Sequence, residues 1–527
     1  MLKTRLLRWI TWTVIVSAVG FVVAEKLWAF FSPSPALVIS AETTWITEPL
    51  AADGLPDYFQ AVMDLGPRGI PPEKNAAAAV WALIPAARSP DDVIDHSQAH
   101  LSPADQFPAS ERLVMPPPPP DGMEAGEAGE ILEVCTRGAW RAADHPWLAG
   151  WLDHNAAALD RLAEGARREG WCPPRCLPAD QSPTVRFGPM PALISLEIPV
   201  EGAFRSFSKA LLARSMLRLG EGDTPGAWHD LDSLLRYGDK IADTPGPLVC
   251  RLVAMALLSS ASRATQTLIR DGHPDDTLLA EMQRSLRSAI DWAPLAESVD
   301  TFERLNALDA IIAKFANPSK PMALFFPINF PFRILAVDPN VPLRAANHFL
   351  ETIVDAVSEP TRDDRRLAWQ VIADALEDLP NSQAPRRKLF QPCHETISER
   401  LCRRSLSSFL PDLKASLDTT DRAHAALILV NCVAAIERHR LAKGQPPASL
   451  ADLVPTFLPA IPVDPLTDAA LGYRIENGRW TLWSGADPEE DAVDELVVRG
   501  PGDRPLRDPA SPDPAPPDPS PEAPSPP

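Results

Sequence analysis

The sequence predicts a mainly α-helical protein with one N-terminal transmembrane helix, an irregular or repeat-like helical extracytoplasmic region, and a small α+β C-terminal module with a β-hairpin. Three observations carry this prediction. An apolar stretch preceded by basic residues opens the chain, apolar residues recur at helical spacing through the long middle, and one Asn-Gly hairpin pattern stands near the end. A proline-rich tail follows the module and is expected to be disordered.

The composition limits the classes of protein to which this chain can belong. Its 527 residues exceed one ordinary domain, and 59 prolines against 25 glycines indicate long, proline-punctuated connections. Lysine and arginine number 50 and aspartate and glutamate 70, which gives a net charge of −20. That charge excludes nucleic acid as an expected partner, because phosphate backbones repel it. The 45% hydrophobic content is typical of a globular chain.

Residues 1–31 are predicted to be a cytoplasmic stub and a membrane anchor. Residues 9–24 carry no charge and are followed by further apolar residues, so a helix over 6–31 is long enough to cross the roughly 30 Å of hydrocarbon. Basic residues before this stretch keep the N-terminus in the cytoplasm; they are Lys3, Arg5 and Arg8. The prediction is a single-pass protein of a bacterial inner membrane with its bulk in the periplasm.

Two other interpretations of this segment remain open. Val22 and Ala24 fit the small-residue pattern of a signal-peptidase site, in which case the segment is a cleaved export peptide. The run 20–25 resembles the cleavage motif of type IV prepilins, although here the long apolar stretch precedes the glutamate at its end instead of following it. The anchor is the favoured interpretation.

Residues 32–420 are predicted to form an α-helical extracytoplasmic region. Apolar residues recur every three or four positions, as they do from Trp147 to Leu162, which places them on one face of a helix. Five prolines at 116–120 predict a stiff polyproline spacer between early helices. The predicted helices are 57–65, 73–86, 127–142, 146–168, 203–219, 224–241, 248–271, 294–315, 343–357, 362–379, 395–417 and 422–442.

One stretch of this region, from Ala210 to Trp228, resembles a helical hairpin of a tetratricopeptide-like repeat. Its small residues would allow two helices to approach closely. Because no clean period of about 34 residues accompanies it, irregular helical packing is favoured over a true repeat array.

No sequence pattern supports catalysis. His394 begins a run like that of a zinc-protease helix, but Ser398 stands where the second histidine ligand would be. His96 and His100 share a helical spacing, and without a third ligand we interpret them as surface residues. The chain is therefore interpreted as a non-enzyme, with an enzyme of unrecognised type as an alternative.

Seven cysteines occur, and two local pairs are candidates for disulfides in an oxidising envelope. Cys172 and Cys176 flank a Pro-Pro-Arg loop, and Cys393 and Cys402 form the second local pair. The alternative for each pair is free, buried thiols. Three others lie within helical apolar stripes and are predicted to be core residues: Cys135, Cys250 and Cys432.

Residues 421–500 are predicted to form a module of one long helix and a β-hairpin. The Asn-Gly dipeptide at 477–478 accepts the positive backbone angles of a type I′ turn. The run 496–498 is expected to add a third strand. The turn sets a register whose paired residues can pack on the helix: Glu476 with Arg479, Ile475 with Trp480, and Tyr473 with Leu482.

The order of motifs in this module resembles the C-terminal part of the major pseudopilins of type II secretion. A helix is followed by a Pro-x-x-Leu-x-x-Leu run from Pro447, a Pro-x-Asp-Pro connection at 462–465, a tyrosine-containing strand and a Ser-Gly-x-Asp loop at 484–487. The resemblance covers about 70 of the 527 residues. Similar modules close uncharacterised bacterial membrane-anchored proteins whose middle regions are helical, and the layout of this chain looks like that group.

The resemblance implies a calcium-binding loop after the serine of the Ser-Gly-x-Asp run. Pro488 stands where a glycine is typical of that loop, and a proline restricts the backbone that would have to curl around the ion. A solvated acidic loop is therefore the favoured interpretation, and calcium is kept as the alternative and as the one candidate cofactor. The carboxylates concerned are Asp487, Glu489, Glu490, Asp491 and Asp494.

The function expected from these features is that of a membrane-anchored scaffold or protein-interaction component of the cell envelope. Its expected partners are the membrane, through the N-terminal helix, and envelope proteins that the sequence does not identify. The tail, 501–527, has 12 prolines and cannot bury enough apolar surface to fold. Besides an enzyme, the remaining alternative is a component associated with a secretion or pilus-like system.

Overall fold

The computed structural model describes residues 20, 36–65, 70–84, 112–115, 117–173, 175, 193–194, 196–289, 295–316, 339–377, 410–476, 478–486 and 496–500. Apart from Gly20, the predicted anchor lies outside these residues, as does the proline-rich tail, and both stay predictions. Within them the chain is mainly α-helical with one small antiparallel sheet, which confirms this part of the predicted fold class.

The described elements are as follows, in chain order. The helices are α1 Tyr58–Leu65, α2 Ala76–Trp81, α3 Ala125–Cys135, α4 Pro146–His154, α5 Ala156–Gly165, α6 Pro199–Gly220, α7 Thr224–Asp243, α8 Leu248–Gly272, α9 Asp276–Ser288, α10 Leu295–Ser298, α11 Arg304–Ala316, α12 Asn340–Ser358, α13 Arg362–Glu377 and α14 Leu410–Lys443; the strands are β1 Gly472–Glu476, β2 Arg479–Trp483 and β3 Val497–Arg499.

Helices α6 to α9 form consecutive hairpins joined by turns of three or four residues. Asp223 caps α7 by accepting a hydrogen bond from the backbone N–H of Gly226, and Asp275 caps α9 by accepting one from Leu278. Helix α8 packs against both α6 and α7, and α14 packs against α8 and α9. The distant helix α14 therefore occupies the place that the next helix of this stack would take.

Four predicted helices are shorter than expected or broken. The predicted helix 73–86 is α-helical only over Ala76–Trp81, and 294–315 is α10 and α11 joined by a π-helical turn, Val299–Glu303. In the other two, polar side chains intervene. The predicted helix 146–168 is two helices, since the Asn155 side chain donates to the carbonyl of Trp151 and accepts from the N–H of Val114. The predicted helix 127–142 ends at Cys135, where the Thr136 hydroxyl bonds the carbonyl of Glu133.

Two further predictions were wrong about helix α14 and its neighbourhood. We predicted separate helices 395–417 and 422–442, with the polar run 418–421 between them. Instead one helix continues from Leu410 to Lys443, and within that run the hydroxyls of Thr419 and Thr420 bond carbonyls four residues earlier in the same helix. Helix α9 was missed, since its strongly polar composition hides a narrow apolar stripe: Leu279, Met282 and Leu286.

The buried apolar residues form two clusters. The first core draws its residues from 76–289 and from 423–496, so the helical middle and the end module share one interior. The second core combines residues of α1, Leu193 and Leu248 with residues of 295–372, the part of the chain that runs between α9 and α14. The second core is thus built largely from an insertion in the stack of helices.

Polar contacts join the second core to the first. Asp468 accepts hydrogen bonds from the backbone N–H groups of Arg362 and Asp363 at the start of α13. The guanidinium of Arg365 pairs with Asp421 on α14 at 3.1 Å. Helix α13 is therefore held at its N-terminus by groups that belong to the other end of the chain.

The sheet has the predicted register. Strands β1 and β2 pair with Ile475 opposite Trp480 and Tyr473 opposite Leu482, and β3 adds to β2 in the order β1-β2-β3. Gly478 has a φ of +76°, as the turn requires. Trp480 and Leu482 are buried in the first core, whereas Ile475 on the outer strand stays largely exposed.

One described helix, α8, is long and apolar enough to cross a membrane by length and composition. Most of the apolar window of α8 is buried inside the protein, as expected for the core helix of a folded stack.

Gly220 provides a test of the packing between α6 and the preceding segment. A Cβ at Gly220 would lie 1.9 Å from the backbone oxygen of Trp140, so Gly220→Ala should lower the free energy of unfolding by about 1–3 kcal/mol through overpacking. Gly202 lies in the same helix with no atom near its Cβ position, and Gly202→Ala should be stabilising by up to about 1 kcal/mol through helix propensity. Thermal unfolding of the full chain measures both. Equal shifts for the two variants would contradict this packing.

Candidate functional site

A buried charged network lies where α5, α6 and α7 meet. Arg214 donates two hydrogen bonds to the carboxylate of Asp230, at 2.7 Å and 3.0 Å, and a third at 2.7 Å to Asp160. Arg218 donates to the same Asp230 at 2.9 Å. The side chain of Asp230 is fully buried and that of Arg214 nearly so, whereas Asp160 is exposed. Every carboxylate oxygen of Asp230 is thus bound by a guanidinium.

The network continues along α7 at Asp232. This carboxylate accepts from Arg236 at 2.8 Å and from the hydroxyl of Ser285 on α9 at 2.6 Å. Arg167 lies 3.7 Å from it and donates to Nδ1 of His229, since a guanidinium has no acceptor. Burial, followed by the charge of Arg167, lowers the pKa of His229. These contacts join the turn that follows α5 to helices α7 and α9, and the charged groups bind one another.

A second carboxyl group, that of Glu201, is buried without hydrogen bonds of this kind in the described part of the chain. Glu201, in the first turn of α6, is 1% exposed, and neither carboxylate oxygen has a hydrogen-bond partner among the described residues. Cys250, in the first turn of α8, Trp171 and the charge of Arg175 all act on this carboxyl. The first turns of two helices therefore converge on one buried carboxyl.

The environment of Glu201 favours its neutral form. Burial raises the pKa of the Glu201 carboxyl, and the charge of Arg175 opposes that change. Burial, and next the charge of Glu201, raise the pKa of the Cys250 thiol well above its usual value. A thiol with so high a pKa is a poor nucleophile, so this pair does not have the chemistry of an activated cysteine.

A third polar centre lies in the end module at Asp464. Its buried carboxylate accepts from the N–H of Leu466 and the hydroxyl of Thr467 on one side of a turn. It also accepts from the hydroxyl of Ser484 at 2.5 Å and the N–H of Gly485 at 2.8 Å. The Pro-x-Asp-Pro connection and the Ser-Gly-x-Asp loop, recognised separately in the sequence, are thus bonded to each other through one side chain.

The site residues predicted from the sequence fall mostly outside this description. The acidic loop, Asp487 to Asp494, lies outside the described residues, and so do Cys176, Cys393 and Cys402. Cys172 is half-buried. The calcium site and both disulfide pairings stay predictions. The three cysteines predicted to lie in the core are buried, as expected: Cys135, Cys250 and Cys432.

Sequence reasoning missed the buried charged residues, although a signal for them was present. Arg214 occurs in an otherwise apolar stripe of α6, and Glu201 lies among apolar residues of the first turn. A charged residue in the apolar phase of a helix indicates a buried partner or a functional group. Which of the two applies depends on the neighbouring helices, so the sequence alone does not distinguish Arg214 from Glu201.

Among the described ranges, no group of three or more metal-binding side chains is positioned to hold an ion. Comparison of the chain with protein-family models, with curated proteins and with solved structures finds no match.

The two partners of Arg214 test how the charged network contributes to stability. Asp230→Asn leaves two guanidinium groups facing a buried amide, and breaking a buried pair typically costs about 3–5 kcal/mol in the free energy of unfolding. Asp160 binds the same arginine from an exposed position, so Asp160→Asn should cost less than about 1 kcal/mol. Denaturant unfolding of both variants makes the comparison. A cost for Asp160→Asn equal to that of Asp230→Asn would contradict the assignment.

Glu201 predicts a dependence of stability on pH. Because its pKa is raised in the folded state, the folded chain holds this proton more tightly than the unfolded chain, and Glu201 lowers stability as pH rises above about 4.5 toward its folded pKa. Glu201→Gln removes this loss, so the variant should be more stable than the parent at pH 8 and equal to it near pH 4. Each increment of about 1.4 kcal/mol in the stability difference between the variant and the parent corresponds to a tenfold difference between the acid dissociation constants of Glu201 in the unfolded and folded chains.

Glu133 provides a control of opposite sign for this measurement. A hydrogen bond from Lys209 is the main cause that lowers the pKa of Glu133. Glu133→Gln should therefore be less stable than the parent at pH 8 and equal to it at low pH. If both variants changed stability in the same direction between pH 4 and pH 8, Glu201 would not be a buried acid whose pKa is raised in the folded chain.

Proposed function

We propose that this chain is a membrane-anchored extracytoplasmic scaffold that holds other proteins of a bacterial cell envelope. The observation that carries the proposal is the stack formed by α6, α7, α8, α9 and α14. Helical hairpins packed side by side present a long, continuous surface, which is how helical repeat proteins bind their partners.

The buried ion pairs in the stack also support the proposal of a scaffold. Arg214 and Arg218 on α6 form ion pairs with Asp230 on α7, which fix the relative positions of these two helices. A rigid frame of this kind suits a protein whose task is to present a surface of constant shape.

The start of the described chain favours a position close to the membrane. Ala36 lies five residues beyond Phe31, where the predicted anchor ends, and its carbonyl accepts from Asn340 on α12. The fold therefore begins immediately after the anchor that we propose, with no long linker between them.

A secretion-associated component is a second candidate, favoured by the end module. A helix with a three-stranded antiparallel sheet packed against it fits the resemblance to pseudopilins, and Asp464 bonds two of the motifs that carry that resemblance. In this case the scaffold's partners would be proteins of a secretion system.

The proposal is tested by cross-linking in cells. A photoreactive residue at Ala256 or Arg263, both exposed on α8, should give discrete adducts with one or a few envelope proteins, and the same residue at exposed Asp153 on α4 provides a control on another helix. Carbonate-resistant membrane association and export of a reporter fused after Pro527 check the topology. A stably anchored chain that forms no protein adduct from α8 would contradict a scaffold, and adducts with secretion proteins would favour the second candidate.

A further inference from the structure

The first described segment, residues 36–50, exposes large apolar side chains on the second core. Val38 is 55% exposed, Trp45 41% and Leu50 48%. Single exposed apolar residues are ordinary on a protein surface; here three of them fall within thirteen residues of one segment. We call these three side chains the apolar patch.

The backbone that carries the apolar patch is fixed to helix α12. Asn340 donates to the carbonyl of Ala36 and accepts from the N–H of Val38. Two turns further along α12, Asn347 donates to the carbonyls of Glu42 and Thr43 at 3.0 Å each. The patch is therefore part of the folded second core and not a free arm.

The Trp45 ring lies against a buried arginine, while 41% of the residue stays exposed. Its φ of +63° is a left-handed conformation that a tryptophan rarely adopts. The Arg304 guanidinium lies 4.0 Å from the centre of the ring, and Arg304 is itself buried and bonded to Asp300 and Asn347. The surrounding contacts thus maintain a strained backbone that keeps an amphipathic ring partly in solvent.

The length of chain before this segment limits its distance from the bilayer. From Phe31, at the end of the predicted anchor, to Ala36 is five residues, which span at most about 17 Å when fully extended. The headgroup region adds roughly 5–8 Å on each side of the hydrocarbon. The second core must therefore stand within a short distance of the lipid surface.

We infer that the apolar patch lies in the interfacial region of the extracytoplasmic leaflet, so that the second core rests on the bilayer. This inference rests on the anchor of the proposed function. The interface is where tryptophan is enriched, because its ring is apolar and its N–H is polar. Because the anchor already holds the chain at the membrane, contact between the patch and lipid does not carry the entropy loss of binding from solution.

The charge of the segment indicates which lipids it accepts. Glu42 and Glu48 are exposed beside the patch, and their carboxylates are repelled by an anionic lipid surface. Contact is therefore apolar, is favoured on zwitterionic bilayers, and weakens as the fraction of anionic lipid rises.

The full chain, reconstituted in phosphatidylcholine vesicles, tests the inference. A photoreactive residue replaces Val38 or Leu50. The matched control places the same residue at Val134, which is 66% exposed on α3, a helix that packs on the first core. We expect about tenfold more lipid adduct from positions 38 and 50 than from position 134, as judged from the preference of such side chains for an apolar environment. Adding phosphatidylglycerol should lower that yield, and Glu42→Gln with Glu48→Gln should restore it.

The outcomes separate this inference from the proposed function. A carbonate-resistant chain with lipid adducts no more frequent at 38 and 50 than at 134 overturns the inference and leaves the anchor intact. Adducts from 38 and 50 to a protein, when the chain is cross-linked in cells, overturn it in favour of a protein interface. Release of the chain by carbonate overturns the anchor and the inference together.

Discussion

The burial of helix α14 is the constraint on which the rest of the structure depends. Every residue from Ala425 to Ile436 is buried, so the middle of this helix is surrounded for about three turns. Helices α8 and α9 cover it on one side, and strand β2 and the turn at 450–453 also pack on it. A helix that is apolar on all sides requires several partners at once, because none alone can remove its whole surface from water. The hairpins and the end module are therefore held together by a single helix.

This arrangement explains why the second core is an insertion. Helix α14 follows α9 in the packing order but lies more than a hundred residues later in the chain. The residues between them form a core of their own, which is joined to the stack through groups such as Arg365 and Asp421. Because loop-closure entropy grows slowly with length, a long insertion between two packed helices costs little once it folds by itself.

Two buried carboxyl groups of this molecule have different surroundings. Asp230 is enclosed by two guanidinium groups that satisfy its oxygens, whereas Glu201 has no hydrogen-bond partner for either carboxylate oxygen among the described residues. The first arrangement fixes the orientation of three helices. Burial of the charged Glu201 carboxylate is unfavourable, and protonation removes that cost. Glu201 lies where the first turns of α6 and α8 meet, at the beginning of the stack.

The sequence by itself determined the helical class, the C-terminal end of α6, the bounds of α7 and α8 to within two residues, and the hairpin register. These features depend on the local spacing of apolar residues and on one Asn-Gly turn. The first turn of α6, which begins at Pro199, was missed. The sequence did not determine that 410–443 is one helix, since the polar run in it is stabilised by contacts within that helix and with α13. Nor did it show that Arg214 has a buried partner and that Glu201 does not have one among the described residues, because in the sequence both are charged residues within an apolar stripe. Only the tertiary structure decided these points, because whether a buried charge has a partner depends on residues brought together from distant parts of the chain.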